Sequence, residues 1–413
     1  MKLSSHDWEA LARAHGTPLY LYDLDQAQAH LQELQDALQG VSVYYCVKAN
    51  PNRAVIEAFR DMVPALDISS AGELELAASV GWDPGKMSFA GPGKSDRELA
   101  TALERGIGSL SIESAVELNR ISTLAQRSGI VAPVLLRINP EFTPRAFAMK
   151  MGGGPSQFGV PEEQAEATLR QAIADPHLHV RGIHIFAGTQ CLDPEALEQN
   201  LQQTLSIAAR LSEACDLTME EVNLGGGLGI AYFQGQEDLD NQALARRLAG
   251  CVREFRESHA RFAATHFVLE LGRYLMGRYG AYLSRVIEVK HVRDKRFVVL
   301  DGGMNHVFPA TGNFGQLIKK NYPVVNVSRT GDEAPAVKQE IVGPLCTPMD
   351  SLGRGLELVP CEVGDLLAFD NCGAYSFSAS PLLFLSHPSP AELVHYQGQV
   401  RLARRRLAPA DFY

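Results

Sequence analysis

Lys48 is a candidate for covalent chemistry, because it ends an apolar run in the segment VYYCVKANPN. The Asn-Pro-Asn sequence that follows prevents a strand from continuing, so we expect the amine at the end of that strand. Desolvation there would favour the neutral, nucleophilic amine that Schiff-base chemistry requires. The segment fits equally well a strand-end lysine whose amine simply extends into solvent.

Three consecutive glycines, Gly225, Gly226 and Gly227, form a second candidate site in the segment LGGGLG. Without side chains, backbone N–H groups can approach an anion closely, and loops after late barrel strands often bind phosphate. A tight turn would also need glycine. The glycines follow the seventh of the strands predicted below, and this position favours an anion site.

Glu270 ends the apolar run of FVLELGRYL, and Arg273 follows three residues later. A carboxylate at this position could act as a base, bind a metal or pair with a protonated ring nitrogen. A plain Glu–Arg ion pair is the structural alternative. No second carboxylate or histidine cluster accompanies Glu270 at metal-ligand spacing, so we expect no metal site.

The elements that must position these residues form a repeated pattern. Eight short apolar runs alternate with amphipathic helical segments, which predicts successive βα units and a parallel sheet. The runs are VSVYYCV (41–47), ALDI (65–68), MSFA (87–90), SLSI (109–112), PVLLRI (133–138), GIHIF (182–186), EVNL (221–224) and FVLE (267–270). The pattern predicts an α/β fold, a closed (β/α)8 TIM-like barrel whose active site lies at the C-terminal strand ends. An open doubly wound sheet is the alternative, although the first βα turn lacks the dinucleotide-binding glycine pattern.

Serine–glutamate pairs at three-residue spacing predict where three helices begin, since they match the capping box. The pairs are Ser70 with Glu73, Ser95 with Glu98, and Ser114 with Glu117.

The pattern changes after about residue 285, where short strand-like runs separated by turn residues predict a β-rich domain. The N-terminal segment GTPLYLYD is expected to contribute a strand to it. The predicted domains are therefore a barrel of residues 36–285 and a β-rich domain of residues 1–35 with 286–413.

Composition limits the classes of partner. The 413 residues are 46% hydrophobic and 21% charged, as in ordinary folded proteins. The 38 Lys and Arg against 48 Asp and Glu give a net charge of −10, so we expect no nucleic-acid or membrane partner. No apolar signal core or membrane-length stretch is evident, and the seven cysteines show no CxxC spacing. We expect a cytoplasmic protein with free thiols.

Nine segments occur in the order of, and resemble, the signature blocks of fold-type III pyridoxal-phosphate decarboxylases, the group of diaminopimelate and ornithine decarboxylases. They are YYCVKAN, LDISSAGEL, RINP, GIHIFAGTQ, NLGGGLG, ELGRY, LDGGMNH, GPLCTPMD and NCGAYSFS. The resemblance spans nearly the whole chain. It implies an alanine racemase-like barrel, pyridoxal 5′-phosphate as cofactor, amino-acid decarboxylation and a homodimer with shared active sites.

The resemblance also implies residue roles. Lys48 would bind the cofactor covalently, and Glu270 would keep its pyridine nitrogen protonated, so that the ring accepts the electron pair left by carbon dioxide. Racemases of this fold place arginine there, so Glu270 favours decarboxylation. Cys346 would protonate the product carbon in the partner subunit's site. Further cofactor-binding residues would be Asp67, Phe186, Thr189, Gly225, Gly226, Gly227, Arg273 and Tyr375. Substrate-binding residues would be His184, Thr347 and Asp350.

Two departures from the family pattern bear on the substrate. Phe186 stands where relatives carry a histidine that stacks on the cofactor ring, and an aromatic face can still stack. Thr347 follows Cys346, where decarboxylases of diamino acids place an acidic residue to hold the distal ammonium. A buried ammonium without a carboxylate partner is costly, so a free diamino acid fits poorly. His184 could be a pocket residue or a hydrogen-bonded strand histidine.

The segments KMGGGPSQFG, GPLCTPMDSLG and FLSHPSPAEL are similar to a narrower branch of the family. It contains the butirosin-pathway decarboxylase, which acts on a glutamyl group held as a thioester on an acyl carrier protein, and decarboxylases encoded with exosortase systems. We therefore expect a tethered or otherwise distally neutral amino acid as substrate. The alternatives are decarboxylation of a free diamino acid such as diaminopimelate, a non-catalytic regulatory homologue, and a racemase.

The basic run RLARRR could dock an acidic carrier protein, or it could be an ordinary solvated face. Its arginines are Arg401, Arg404, Arg405 and Arg406.

Overall fold

The computed structural model describes residues 7–142, 145–233, 235–314, 319–331 and 334–412. The chain divides into two units, of which the barrel unit comprises residues 30–230 and 237–272. The β-rich unit comprises the described residues of 1–29, 231–236 and 273–413. The domain boundaries placed at residues 36 and 285 from the sequence stay predictions.

The helices of the described residues are α1 Trp8–His15, α2 Leu24–Ala37, α3 Arg53–Ala58, α4 Ala71–Ser79, α5 Asp96–Glu104, α6 Ala115–Ser128, α7 Glu162–Ala174, α8 Pro194–Ala214, α9 Asn241–Ser258 and α10 Arg273–Met276. The strands are β1 Leu19–Asp23, β2 Val41–Cys46, β3 Ala65–Ile68, β4 Met87–Phe89, β5 Ser109–Ile112, β6 Ala132–Asn139, β7 Met149–Lys150, β8 Val160–Pro161, β9 Leu178–Ile185, β10 Gly188–Thr189, β11 Glu221–Asn223, β12 His266–Leu271, β13 Gly280–Val292, β14 Lys295–Leu300, β15 Val324–Asn326, β16 Val337–Val342, β17 Ser351–Leu358, β18 Leu366–Phe369, β19 Ala391–Tyr396 and β20 Gln399–Arg404.

Parallel strands close into a barrel in the order β2, β3, β4, β5, β6, β9, β11 and β12. The ring closes because β12 also pairs with β2, with Glu270 opposite Tyr44. This pairing confirms the predicted closed barrel and excludes the open doubly wound sheet. The eight strands lie on the eight predicted runs, and most of their residues are buried, as expected for a parallel sheet covered by helices.

The predicted helix starts are confirmed, but only one is a complete capping box. The Ser95 hydroxyl accepts from the backbone N–H of Glu98, whose carboxylate accepts from that of Ser95. Ser70 and Ser114 also cap their helices, at 3.1 Å in each case. Their glutamates, however, accept from Ser69 and Glu113, one residue before the cap. Within the described ranges, no helix is both long enough and apolar enough to cross a membrane.

In the β-rich unit a sheet runs in the order β17, β16, β14, β13, β1, β19 and β20, with β18 joining β13 to β15. Strand β1 lies inside this sheet, antiparallel to β13 and parallel to β19, so GTPLYLYD does contribute a strand. Its side chains Leu19 and Leu21 pack in an apolar cluster with Trp8 and Leu393.

Candidate active site

Lys48 lies at the C-terminal end of barrel strand β2, where the chain leaves the strand in a short 3₁₀ turn, Val47–Ala49. The Tyr45 hydroxyl donates to the Asn50 carbonyl at 2.9 Å and closes this turn. The Lys48 Nζ atom lies 2.7 Å from Asp67 Oδ2, and the lysine side chain is 38% exposed. The amine is therefore held by an ion pair at the strand ends while staying accessible.

Asp67 is the penultimate residue of the neighbouring strand β3 and is fully buried. Its second oxygen, Oδ1, has no hydrogen-bond partner among the described residues. Burial, and next the negative charge of Glu270, raise the pKa of Asp67, while Lys48 opposes this rise. An unpaired buried carboxylate oxygen is costly, so the site is built to receive another donor or cation.

Glu270 lies in strand β12 with its carboxylate buried. Asn223 Nδ2 donates to Glu270 Oε1 at 2.6 Å, and His184 Nε2 lies 3.4 Å from Oε2. Burial by itself would raise the pKa of Glu270, but His184, Lys48 and Asn223 outweigh it and lower the pKa to about 2. These neighbours therefore favour the ionised form of the buried Glu270 carboxylate.

His184 contacts Glu270 from strand β9, and its ring is only 1% exposed. Its other nitrogen, Nδ1, lies 3.1 Å from the hydroxyl of Ser111 in β5. The sequence suggested either a pocket residue or a strand histidine, and these contacts place it as a partner of Glu270.

The glycine segment directly follows β11 and fits tightly against its neighbours. A Cβ atom would lie 2.4 Å from the Ile185 carbonyl oxygen at Gly225 and 2.1 Å from the Glu270 carbonyl oxygen at Gly226. At Gly227, where φ is +98°, it would lie 2.5 Å from a Phe147 ring carbon. The Glu270 N–H donates to the Gly225 carbonyl at 2.7 Å. Only glycine fits here, and the segment is anchored beside Glu270.

Phe186 and Thr189 lie near the same glycines. A Cβ at Gly225 would come within 3.1 Å of Phe186 Cδ2. Thr189 belongs to β10, whose Gly188 carbonyl oxygen would lie 2.6 Å from a Cβ at Gly227. The structure thus places Phe186 and Glu270 beside the glycines, while Thr189 directly follows Gly188 in the chain.

Arg273 and Tyr375 lie together in the β-rich unit. The Arg273 guanidinium carbon is 4.6 Å from the Tyr375 ring centroid, and Nη1 donates to the Tyr232 hydroxyl at 3.0 Å. Arg273 Nε is buried and has no hydrogen-bond partner in the described part of the chain. Tyr375 has a φ of +61°, a left-handed conformation that is unfavourable for tyrosine and often found at functional sites. The pair offers a cation with a donor still available for an anion.

Cys346 lies in a turn between β16 and β17, and its side chain is exposed. Thr347 is next in the turn, and its hydroxyl accepts from the Met349 N–H at 3.3 Å. Asp350 was expected to bind substrate, but it is only 3% exposed and both of its oxygens are used inside the fold. They accept from the backbone N–H groups of Met304 at 2.7 Å and Leu345 at 2.8 Å. Asp350 instead fixes the turn that carries Cys346.

The arginines of RLARRR contact their own unit. Arg404 pairs with Glu392, Arg405 pairs with Asp411, and Arg406 donates to two backbone carbonyls. Arg401 lies 5.3 Å from the Tyr396 ring centroid. These contacts favour a structural role over carrier docking.

Sequence reasoning missed Asn223 and Ser111, which complete the surroundings of Glu270. Asn223 carried a readable signal, because it is an amide at the end of a strand, two residues before the first of three glycines. Ser111 is a hydroxyl within a buried strand, a weaker signal, and nothing in the sequence indicates that it faces His184.

Comparison with known proteins identifies the family. Residues 24–277 match the family described as "Pyridoxal-dependent decarboxylase, pyridoxal binding domain". The chain is a pyridoxal-dependent decarboxylase. It is 35% identical, over 98% of its length and 95% of the relative's, to L-glutamyl-[BtrI acyl-carrier protein] decarboxylase of Niallia circulans. It is 34% identical to diaminopimelate decarboxylase of Neisseria meningitidis serogroup B, over 96% and 92% of the two chains.

The fold of the decarboxylase matches a solved relative. The crystal structure of diaminopimelate decarboxylase from Helicobacter pylori, complexed with L-lysine, superposes with a TM-score of 0.87 at 28% identity and covers 98% of both chains. The fold-type III assignment is therefore confirmed, and with it pyridoxal 5′-phosphate as the cofactor.

The residues of the decarboxylase fit this cofactor. The accessible amine of Lys48 lies at the strand ends, where it can bind the cofactor. The buried carboxylate of Glu270 favours its ionised form and can pair with a cationic ring nitrogen. The three glycines have no side chains that would block their backbone N–H groups from an anion. Asp67 Oδ1, at the same end of the barrel, has no hydrogen-bond partner among the described residues, so a bound cofactor could supply a donor there.

Proposed function

We propose that this decarboxylase acts on an α-amino acid whose distal end is neutral, with a glutamyl group bound as a thioester to an acyl carrier protein as the leading candidate. The observation that carries the proposal is the turn after Cys346. Thr347 offers no charge there, and Asp350, the acid closest to Cys346 in the chain, is buried and engaged by two backbone amides. A distal ammonium would find no carboxylate in this turn.

The relatives support the same direction. The relative at 35% identity is named for a glutamyl group on a carrier protein, and the diaminopimelate decarboxylase compared above is slightly less similar. Decarboxylation of free diaminopimelate is therefore the competing outcome of the tests below.

In the proposed reaction the bound cofactor supplies a ring that accepts the electron pair left when carbon dioxide departs. Asp67 orients Lys48 Nζ at 2.7 Å, where this amine can hold the cofactor covalently. Glu270 presents a fixed negative charge to the ring nitrogen, and Asn223 holds its carboxylate in place. Gly225, Gly226 and Gly227, with Thr189, would bind the phosphate, and the phosphate-binding roles of Arg273 and Tyr375 stay predictions.

Cys346 would complete the reaction by returning a proton to the α-carbon. Its exposure on this chain suits a thiol that acts in the site of a second copy, so we also propose a homodimer with shared sites. Mixing Lys48→Ala with Cys346→Ala protein tests this arrangement. Random exchange of subunits should restore about one quarter of the wild-type activity, because half of the dimers then contain one intact site. Activity that stays absent after verified subunit exchange would exclude shared sites.

Substrate choice is tested by carbon dioxide release from glutamyl carrier protein, a short glutamyl thioester, free glutamate, diaminopimelate and ornithine. We expect kcat/KM for the thioesters to exceed that for diaminopimelate by at least about a hundredfold, or about 3 kcal/mol, the order expected for an uncompensated ammonium. Mass spectrometry after borohydride reduction identifies which amino acid becomes attached to the enzyme. Efficient turnover of free diaminopimelate or ornithine would reject the proposal.

Adding a carboxylate at position 347 tests whether this position determines the substrate preference. Thr347→Glu should raise turnover of diaminopimelate or ornithine and lower turnover of the thioesters, because it supplies the missing carboxylate. Thr330→Glu is the matched control, since Thr330 is an exposed threonine of the same unit. Identical substrate profiles for the two variants would show that position 347 does not face the distal group.

A further inference from the structure

Two buried side chains, that of His184 beside Glu270 and that of Ser111 beside His184, have no role in the reaction proposed above. We infer that His184, fixed in place by Ser111, is a positioning residue that keeps Glu270 ionised and so keeps a bound pyridine ring protonated. The inference rests on the proposed pairing of Glu270 with the cofactor.

The geometry fixes the imidazole from both sides. Ser111, His184 and Glu270 lie on three different barrel strands, β5, β9 and β12. The Ser111 hydroxyl lies 3.1 Å from His184 Nδ1, which leaves Nε2 directed towards Glu270. The Ser111 residue is itself held, because buried Lys94 donates to its carbonyl oxygen at 2.9 Å. The ring therefore has one defined orientation.

The contact between His184 and Glu270 suits a charge rather than a proton relay. Nε2 lies 3.4 Å from Glu270 Oε2, within ion-pair distance, but without the alignment of a hydrogen bond. A protonated ring can donate its Nδ1 proton to Ser111 and place its positive charge beside the carboxylate. The energy of such a pair is large because both side chains are only 1% exposed.

Other charged groups near Glu270 make this positive charge necessary. Asp67 and Glu221 are buried carboxylates, and both interact unfavourably with the charge of Glu270. Lys48 is already paired with Asp67, and Glu221 accepts from the Tyr44 hydroxyl at 3.1 Å and lies 3.7 Å from Arg181 Nη2. His184, with Nε2 3.4 Å from Glu270 Oε2, is the side chain through which we infer that a positive charge reaches Glu270.

The consequence concerns one proton. A proton shared between Glu270 and a ring nitrogen can rest on either atom, and only the protonated ring is an efficient electron acceptor. A positive charge 3.4 Å from Glu270 lowers the affinity of the carboxylate for that proton, so the proton stays on the nitrogen. Without this charge, the neutral pair of carboxylic acid and unprotonated ring becomes competitive.

The test follows the ring nitrogen directly, by 15N NMR of holoenzyme reconstituted with ring-15N pyridoxal 5′-phosphate, together with the dissociation constant of the cofactor. In His184→Gln, which keeps a hydrogen-bonding side chain without its charge, we expect the nitrogen signal to move towards the unprotonated position. The dissociation constant should rise at least about tenfold, the equivalent of one pKa unit. Ser111→Ala should show a smaller change in the same direction, and Ser111→Thr should restore the wild-type signal.

His179→Gln is the matched control, because His179 lies on the same strand and pairs with Glu220 at 2.7 Å, but on the exposed surface. It should leave both measurements within about twofold of wild type, well under the tenfold effect of one pKa unit. If His184→Gln does not fold, the Ser111→Ala and Ser111→Thr pair decides, since it removes and restores only the hydroxyl.

Glu270→Gln distinguishes a wrong role for Glu270 from a wrong role for His184. If this variant also keeps a protonated nitrogen and wild-type affinity, the proposed role of Glu270 is wrong. If Glu270→Gln loses the protonated signal while His184→Gln and Ser111→Ala keep it, only the inference about His184 is overturned.

Discussion

Gly226→Ala is a substitution for which the structure predicts a large effect from a single methyl group. The added Cβ would lie 2.1 Å from the Glu270 carbonyl oxygen and 3.5 Å from a Leu271 methyl carbon. Since carbon contacts are comfortable near about 3.5 Å, the glycine segment and the end of β12 must separate by roughly 1.4 Å. The obstacle is backbone of a paired barrel strand, which cannot rotate away as a side chain could.

Overpacking of this kind typically costs about 1–3 kcal/mol, and a backbone obstacle places Gly226→Ala at about 3 kcal/mol or above. If the strain is relieved by moving the glycine segment, its N–H groups leave the proposed phosphate site. Cofactor binding should then weaken by roughly a hundredfold, the equivalent of about 3 kcal/mol.

The assay is an equilibrium titration of apoenzyme with pyridoxal 5′-phosphate, combined with urea denaturation of the same protein. Gly93→Ala is the control, because a Cβ at Gly93 meets nothing within 4 Å and its backbone is not left-handed. A Gly226→Ala protein with wild-type affinity and wild-type stability would refute the steric reasoning. Lost stability with unchanged affinity would refute only the phosphate role of the glycines.

Three other predictions follow from the same contacts. Asp67→Asn removes the carboxylate 2.7 Å from Lys48. Covalent attachment of the cofactor, measured by the rise of visible absorbance, should then slow at least about tenfold, the effect of one pKa unit. An unchanged rate would show that the ion pair does not orient the amine. The pKa of Glu270 is lowered from 4.5 to about 2, so its charge stabilises the fold above pH 4.5 and this stability is lost as pH falls towards about 2. In Glu270→Gln the free energy of unfolding should therefore depend less on pH in that window. Identical acid-denaturation curves for the variant and the wild type would contradict the shift. Asp350→Asn leaves one of two backbone N–H groups without an acceptor. Urea denaturation should then show a free energy of unfolding that is lower by about 1–3 kcal/mol. An exposed substrate-binding aspartate would not produce this loss.

Much of the barrel could be predicted because its strands are buried on both faces and its helices are amphipathic. Each apolar run therefore marks one strand, and each helical segment between two runs marks a crossover. Closure of the ring was predicted only from the number of βα units, because no local pattern specifies which strands pair to close it. It depends on the pairing of β2 with β12, whose partners Tyr44 and Glu270 are far apart in the chain.

The candidate site shows the same division between local and long-range information. Lys48 and Glu270 were predictable because a charged residue that ends an apolar strand is a local signal. The contact of His184 with Ser111 was not, since strand order and rotamer together bring them within 3.1 Å. For Asp350 the family resemblance implied substrate binding, whereas the structure shows both carboxylate oxygens accepting from backbone N–H groups.

The placement of β1 inside the β-rich sheet has a consequence for biosynthesis. Leu19–Asp23 is synthesised long before its parallel neighbour Ala391–Tyr396, because residues 24–390 lie between them. At a synthesis rate of about 5–20 residues per second, the intervening chain takes on the order of 20–70 s to emerge. During that interval the apolar strand β1 lacks its parallel neighbour β19. A chain that stops shortly before residue 391 lacks β19 and cannot complete this sheet.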